Sequence, residues 1–92
     1  VKELKPGSSV YRELALIKVK AGCDQRQGVI SIADIFRAKI IDVASDSLIV
    51  ELTGNQDKID AFINLLDGYE ILELARTGIA GLGRGSENVT YL

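Results

Sequence analysis

Histidine is absent from the chain, and cysteine occurs once, as Cys23. Those two counts remove the usual general base at neutral pH and the commonest metal ligands. Nucleophile–base catalysis and an ordinary zinc site therefore have no residues to be built from. Carboxylates are what remains. Asp42, Asp46, Asp57 and Asp60 could serve acid–base or metal work, but Asp46 falls in a turn-forming Ser-Asp-Ser. Asp57 and Asp60 fall on the polar side of a helical repeat, where solvation accounts for them. Cys23 stands in a loop stretch with no specific basic neighbour to activate it. Gly81-x-Gly83-x-Gly85 is a fragment of a dinucleotide fingerprint, but that fingerprint needs a following helix whose N-terminus holds the pyrophosphate. The expected catalytic, cofactor and metal residues of this chain are therefore none.

Two further motifs point to binding chemistry. Arg26-Gln27-Gly28-Val29 resembles the phosphate loop of acylphosphatases, in which an arginine and backbone amides cradle an anion. Here the spacer after the arginine is missing, and Asp24 stands where it would repel an anion. RNA-binding sheets stack bases on aromatic residues of their central strands. This chain offers Ala15, Ile17, Leu48 and Val50 at those positions, and its pI of about 5.0 gives no electrostatic footprint for nucleic acid.

The elements that position these residues follow from length and pattern. The 92 residues suit one domain, and 47% hydrophobic with 26% charged composition is that of a folded chain rather than a disordered one. No apolar run approaches the roughly 20 residues needed to span a bilayer. Residues 1–10 lack the apolar core of a signal peptide, and a single cysteine rules out an intramolecular disulfide, so a cytoplasmic setting is expected. Val1 and the lack of any methionine point to a piece of a longer protein.

Residues 1–11, with Lys5-Pro6-Gly7-Ser8-Ser9, read as a linker. Alternation of Ala15, Ile17 and Val19 with Leu14, Leu16 and Lys18 predicts a strand over 13–19. Val29, Ile32, Ala33 and Phe36 recur at helical spacing. Residues 40–44 and 48–53 read as strands around Ser45-Asp46-Ser47. Asn55 is a credible N-cap for a second helix whose apolar face is Ile59, Phe62, Ile63 and Leu66, with Gly68 as its stop. A last strand is expected over 69–76. Residues 77–92, with four glycines among 77–85, read as a tail. The expected domain is thus 12–76, of α+β class: a ferredoxin-like βαββαβ sandwich with a four-stranded antiparallel sheet and two helices on one face. That plan hosts many functions.

With helices on one face, the other face of the sheet is expected to carry Leu14, Leu16, Ile49 and Ile71. An apolar face of this kind marks an interaction site. These four are the candidate partner-interface residues.

Several segments then match one family in register. Residues 12–19 (Arg-Glu-Leu-Ala-Leu-Ile-Lys-Val) and 35–43 (Ile-Phe-Arg-Ala-Lys-Ile-Ile-Asp-Val) resemble the signature stretches of acetolactate synthase small subunits. So do Asp46-Ser47-Leu48, Glu51-Leu52-Thr53-Gly54, Asp57-Lys58-Ile59-Asp60-Ala61 and Ala75-Arg76-Thr77-Gly78. The resemblance runs from Arg12 to about Gly85. It implies the C-terminal, ferredoxin-like domain of a regulatory subunit, a non-catalytic partner that binds and activates a large catalytic subunit in branched-chain amino-acid biosynthesis. By the same resemblance the cofactors thiamine diphosphate, FAD and magnesium belong to that catalytic subunit. A homodimer is expected, with neither nucleic acid nor membrane as partner, in the cytoplasm or in a plant plastid. The family's ACT domain, which binds a branched-chain amino acid, has no counterpart in the chain.

Two rival readings predict different behaviour. A free-standing ACT-like amino-acid sensor would bind its ligand at the loop 22–28, and an acylphosphatase-like enzyme would turn over substrate through Arg26.

Overall fold

The structure is a computed structural model that describes residue 7 and residues 9–86. Most of the stretch read as a linker, and residues 87–92 of the stretch read as a tail, lie outside the described residues. The chain folds as β1 (Ser9–Lys20), α1 (Arg26–Ile35), β2 (Lys39–Val43), β3 (Ser47–Gly54), α2 (Gln56–Leu65), β4 (Glu70–Arg76) and β5 (Ala80–Gly83).

Local chemistry sets the helix ends. Asn55 takes an extended backbone, and its side chain accepts a hydrogen bond from the Lys58 N–H at 2.8 Å, so it caps α2 as its position predicts. Asp57 in the first turn complements the positive end of the helix. The end of α1 is less ordinary. The Arg37 N–H donates to the Asp34 carbonyl at 3.1 Å, and the Ala38 N–H to the Ala33 carbonyl at 2.8 Å, the paired bonds of a Schellman motif. The residue in the left-handed position is Arg37, with φ of 56°, where glycine is usual. A side chain there costs about 1 kcal/mol.

The strands form one antiparallel sheet in the order β2-β3-β1-β4. Alternation along β1 and β3 sends Ala15, Ile17, Val19, Leu48, Val50 and Leu52 to the helix side, where all are buried. Val29 and Ala33 of α1 and Ile59 and Phe62 of α2, with Leu66 just beyond it, close the core over them. The Phe36 and Phe62 rings meet edge to face, with centroids 5.3 Å apart and planes at 76°. The ferredoxin-like α+β plan is thus the observed one, with a fifth strand added.

Two segments differ from the sequence-based expectation. β1 begins at Ser9, inside the stretch read as a linker, and β5 lies inside the stretch read as a tail. One cause serves both. Opposite Glu13 stands Gly54, the last residue of β3, while Ser9 to Arg12 pair with Gly83 to Ala80 along the other edge. Pairing with the long central strand outweighs the low strand propensity of Ala80-Gly81-Leu82-Gly83. Between β4 and β5, the Thr77 N–H donates to the Leu14 carbonyl at 3.0 Å, and its hydroxyl accepts from the Leu14 N–H at 3.1 Å. Gly78, at φ 82°, takes up the extra residue.

Both outer strands are bulged. Ile40 pairs with Val50 and Asp42 with Ile49, which leaves Ile41 as an extra residue in β2. Glu73 pairs with Lys18 and Ile71 with Val19, which leaves Leu72 as an extra residue in β4. Among the described residues, no helix is long and apolar enough to cross a membrane.

Candidate interaction surface

Both helices lie on one side of the sheet, so β1 turns its even-numbered residues to the other. The register sets Leu14 beside Thr53, Leu16 between Glu51 and Ala75, and Lys18 between Ile49 and Glu73. Leu16 is 37% exposed, which on a central strand means that none of the described residues covers it. Leu14 and Ile49 are half-buried among their neighbours. Lys18 Nζ bridges to Glu73 Oε1 at 2.8 Å across β1 and β4, and this hydrogen bond holds the Glu73 carboxyl below its ordinary range. The result is a shallow aliphatic patch of Leu14, Leu16, Ile49 and Ala75 with one neutralised ion pair inside it.

Ile71 does not join this patch. It pairs with Val19, a residue of the helix side, and packs against the core. The extra residue Leu72 inverts the alternation of β4, so a parity counted back from Glu73 and Ala75 assigns Ile71 to the wrong face. Three of the four expected interface residues share the open face, and the fourth supports the core.

The loop of the acylphosphatase-like reading is otherwise engaged. Arg26 Nη2 donates to the carbonyls of Ala44 and Ser45, at 2.6 and 2.9 Å. The Ala21 N–H donates to the Asp46 carbonyl at 2.8 Å. The arginine therefore clamps the β2–β3 turn rather than offering its guanidinium to an anion. Cys23 is exposed, and the described residues contain no group of three His, Cys, Asp or Glu side chains able to hold a metal ion. Gly81 and Gly83 lie in β5.

One cluster escaped the sequence reading. Arg76, at the end of β4, grips Glu13 with two hydrogen bonds, Nη2 to Oε1 at 2.7 Å and Nε to Oε2 at 2.9 Å. Its Nη1 reaches Asp60 of α2 at 2.8 Å. The Arg76 hydrogen bonds, helped by the Gly78 N–H, hold the Glu13 carboxyl below its usual range, and Glu13 and Asp60 together raise the Arg76 value. Glu13 was detectable in principle. It continues the parity of Ala15, Ile17 and Val19, and a carboxylate on the buried face of a strand requires a cationic partner.

Comparison with known proteins bears on what this surface serves. A sequence model of the family described as "Small subunit of acetolactate synthase" matches residues 12–85. A probable acetolactate synthase small subunit of Methanothermobacter thermautotrophicus is 46% identical over 90 residues, 97% of this chain and 54% of that protein. The acetolactate synthase small subunit of Bacillus subtilis is 44% identical over 87 residues, 95% of this chain and 51% of that protein. The crystal structure of a small subunit from Thermotoga maritima superposes with a TM-score of 0.83 at 42% identity, covering 92% of this chain and 52% of the other. The chain spans about half the length of the relatives it matches.

Proposed function

We infer the function from one premise: the chain belongs to the acetolactate synthase small-subunit family. On that premise it is a non-catalytic, regulatory domain that associates with a large catalytic subunit and raises its activity in branched-chain amino-acid biosynthesis. Thiamine diphosphate, FAD and magnesium stay with that catalytic partner in this reading. The observation that carries it is the family match across 12–85, a span that contains every strand and helix except the first residues of β1. The open aliphatic face suits a domain whose work is association.

The open face is assigned to a second copy of the chain, with Leu14, Leu16 and Ile49 at its centre and Ile71 supporting from the core side. Its Lys18–Glu73 pair is internally neutral, while Glu51, beside Leu16, and Asp42, opposite Ile49, add carboxylates at its margin. The single cysteine and the absence of a membrane-crossing helix among the described residues accord with a cytoplasmic protein. The family match favours neither a free-standing amino-acid sensor nor an acylphosphatase-like enzyme, and for the latter Arg26 is already bound to turn carbonyls.

The test is to mix the chain with the catalytic subunit of its own synthase, then follow co-elution and acetolactate formation together. Co-elution with a faster rate is expected. Separate elution with an unchanged rate would overturn the reading.

A further inference from the structure

We propose that the strip Ile35–Arg37–Lys39–Ile41, where α1 passes into edge strand β2, is the contact surface for the catalytic subunit, and that Arg37 binds a carboxylate on it. The inference rests on the reading above that such a subunit is the partner.

Three observations meet at this strip. The first is backbone. Arg37 is the one non-glycine residue with positive φ among the described residues, and it occupies the position of a Schellman motif that glycine fills without strain. The helix dipole favours a positive charge near this end, but a basic residue one position away would feel the same field in an unstrained backbone. What only this seat provides is the direction in which the guanidinium leaves the helix.

The second is charge. Arg37 and Lys39 are exposed, and neither forms an ion pair among the described residues. Asp34 and Asp42 lie close in sequence, and Glu51 stands opposite Lys39 in the sheet, yet none of them is bridged to either cation. Lys20, Lys58 and Arg84 likewise form no ion pair among the described residues, whereas Lys18 and Arg76 are engaged. The strip thus presents free cations suited to carboxylates of a partner, and arginine is the residue best shaped to take one in two parallel hydrogen bonds.

The third is apolar exposure on either side of those cations. Ile35 is 75% exposed and Ile41 50%, and Ile41 is the bulged residue, pushed out of the regular ladder of β2. An arginine flanked by exposed aliphatic side chains has the make-up of an interface centre. Ile35 and Arg37 belong to the end of α1, on the helix side of the sheet, whereas Lys39 stands in the same cross-strand row as Glu51 and Leu16 and borders the open face.

The experiment measures affinity for the catalytic subunit, at low and high salt, for the parent chain and for Arg37→Gly, Arg37→Lys and Ile35→Ser. Arg37→Gly is expected to melt at or above the parent's temperature while binding about tenfold or more weakly. Ile35→Ser should weaken binding with an unchanged melting temperature, and Arg37→Lys should retain part of the affinity. Salt should weaken the parent more than Arg37→Gly. A parent that binds and an Arg37→Gly that binds equally well would overturn this inference while leaving the proposed function standing. A parent that does not bind overturns both. Arg37→Gly changing the mass of the free chain instead of its affinity for the catalytic subunit would assign the strip to a copy, and so refute the proposal.

Discussion

The Tyr69 ring packs its hydroxyl end against the backbone of Gly28 in α1, leaving no room for a side chain there. A methyl group built on Gly28 overlaps the Tyr69 hydroxyl and stands 3.4 Å from its Cζ. The segment between α2 and β4 is thereby seated on the other helix, and a glycine inside α1 has a reason that helix propensity alone would count against.

Gly28→Ala should therefore destabilise the fold by about 1–3 kcal/mol, the usual cost of overpacking, despite alanine's better propensity. Tyr69→Phe removes the clashing oxygen, so Gly28→Ala/Tyr69→Phe should recover part of the loss. A double-mutant cycle by urea denaturation measures the coupling. Additive effects would mean that the two groups do not touch.

Phe62 is fully buried and meets Phe36 edge to face. Phe62→Ala should cost about 3–5 kcal/mol. A domain of this size has only ~5–10 kcal/mol to lose. Thermal denaturation should show a chain close to its unfolding threshold at room temperature, and a melting point within a degree or two of the parent's would contradict the packing described.

Acid should loosen the clasp between β1, β4 and α2. The Arg76 hydrogen bonds lower the Glu13 value in the folded chain, so the unfolded chain binds more protons in that range. The clasp's contribution is complete above the usual carboxylate value near 4.5 and is lost as pH falls through the lowered folded value. Glu13→Gln should flatten the acid limb of a stability–pH profile. Glu73, lowered by Lys18, titrates in the same direction, so Lys18→Met is the control that separates the two pairs.

Ile49 lies on the open face beside Lys18, away from the core. Ile49→Lys should leave the circular dichroism of a folded domain unchanged while lowering the mass in solution by analytical ultracentrifugation. A parent chain that is already monomeric at micromolar concentration would remove the basis for assigning this face to a copy.

Much of the architecture was legible because alternation is a direct imprint of the sheet. Ala15, Ile17 and Val19 against Leu14, Leu16 and Lys18 define β1, and Leu48, Val50 and Leu52 define β3. Ile59, Phe62 and Leu66 define α2 in the same way. The failures share a cause. Ile71 was misplaced because a bulge at Leu72 changes parity without changing residue type. Residues 9–11 and 80–83 were read as linker and tail because their strand character comes from pairing across about seventy positions, not from local propensity. The Glu13–Arg76–Asp60 cluster joins three elements distant in sequence, and only the parity of Glu13 hinted at it.

The bulges at Ile41 and Leu72 have a consequence for behaviour at high concentration. Each spoils an outer strand as a template, since a copy laid alongside would find no regular run longer than two residues in β2 or four in β4. A sheet with edges so interrupted is denied the route by which sheets grow into ribbons.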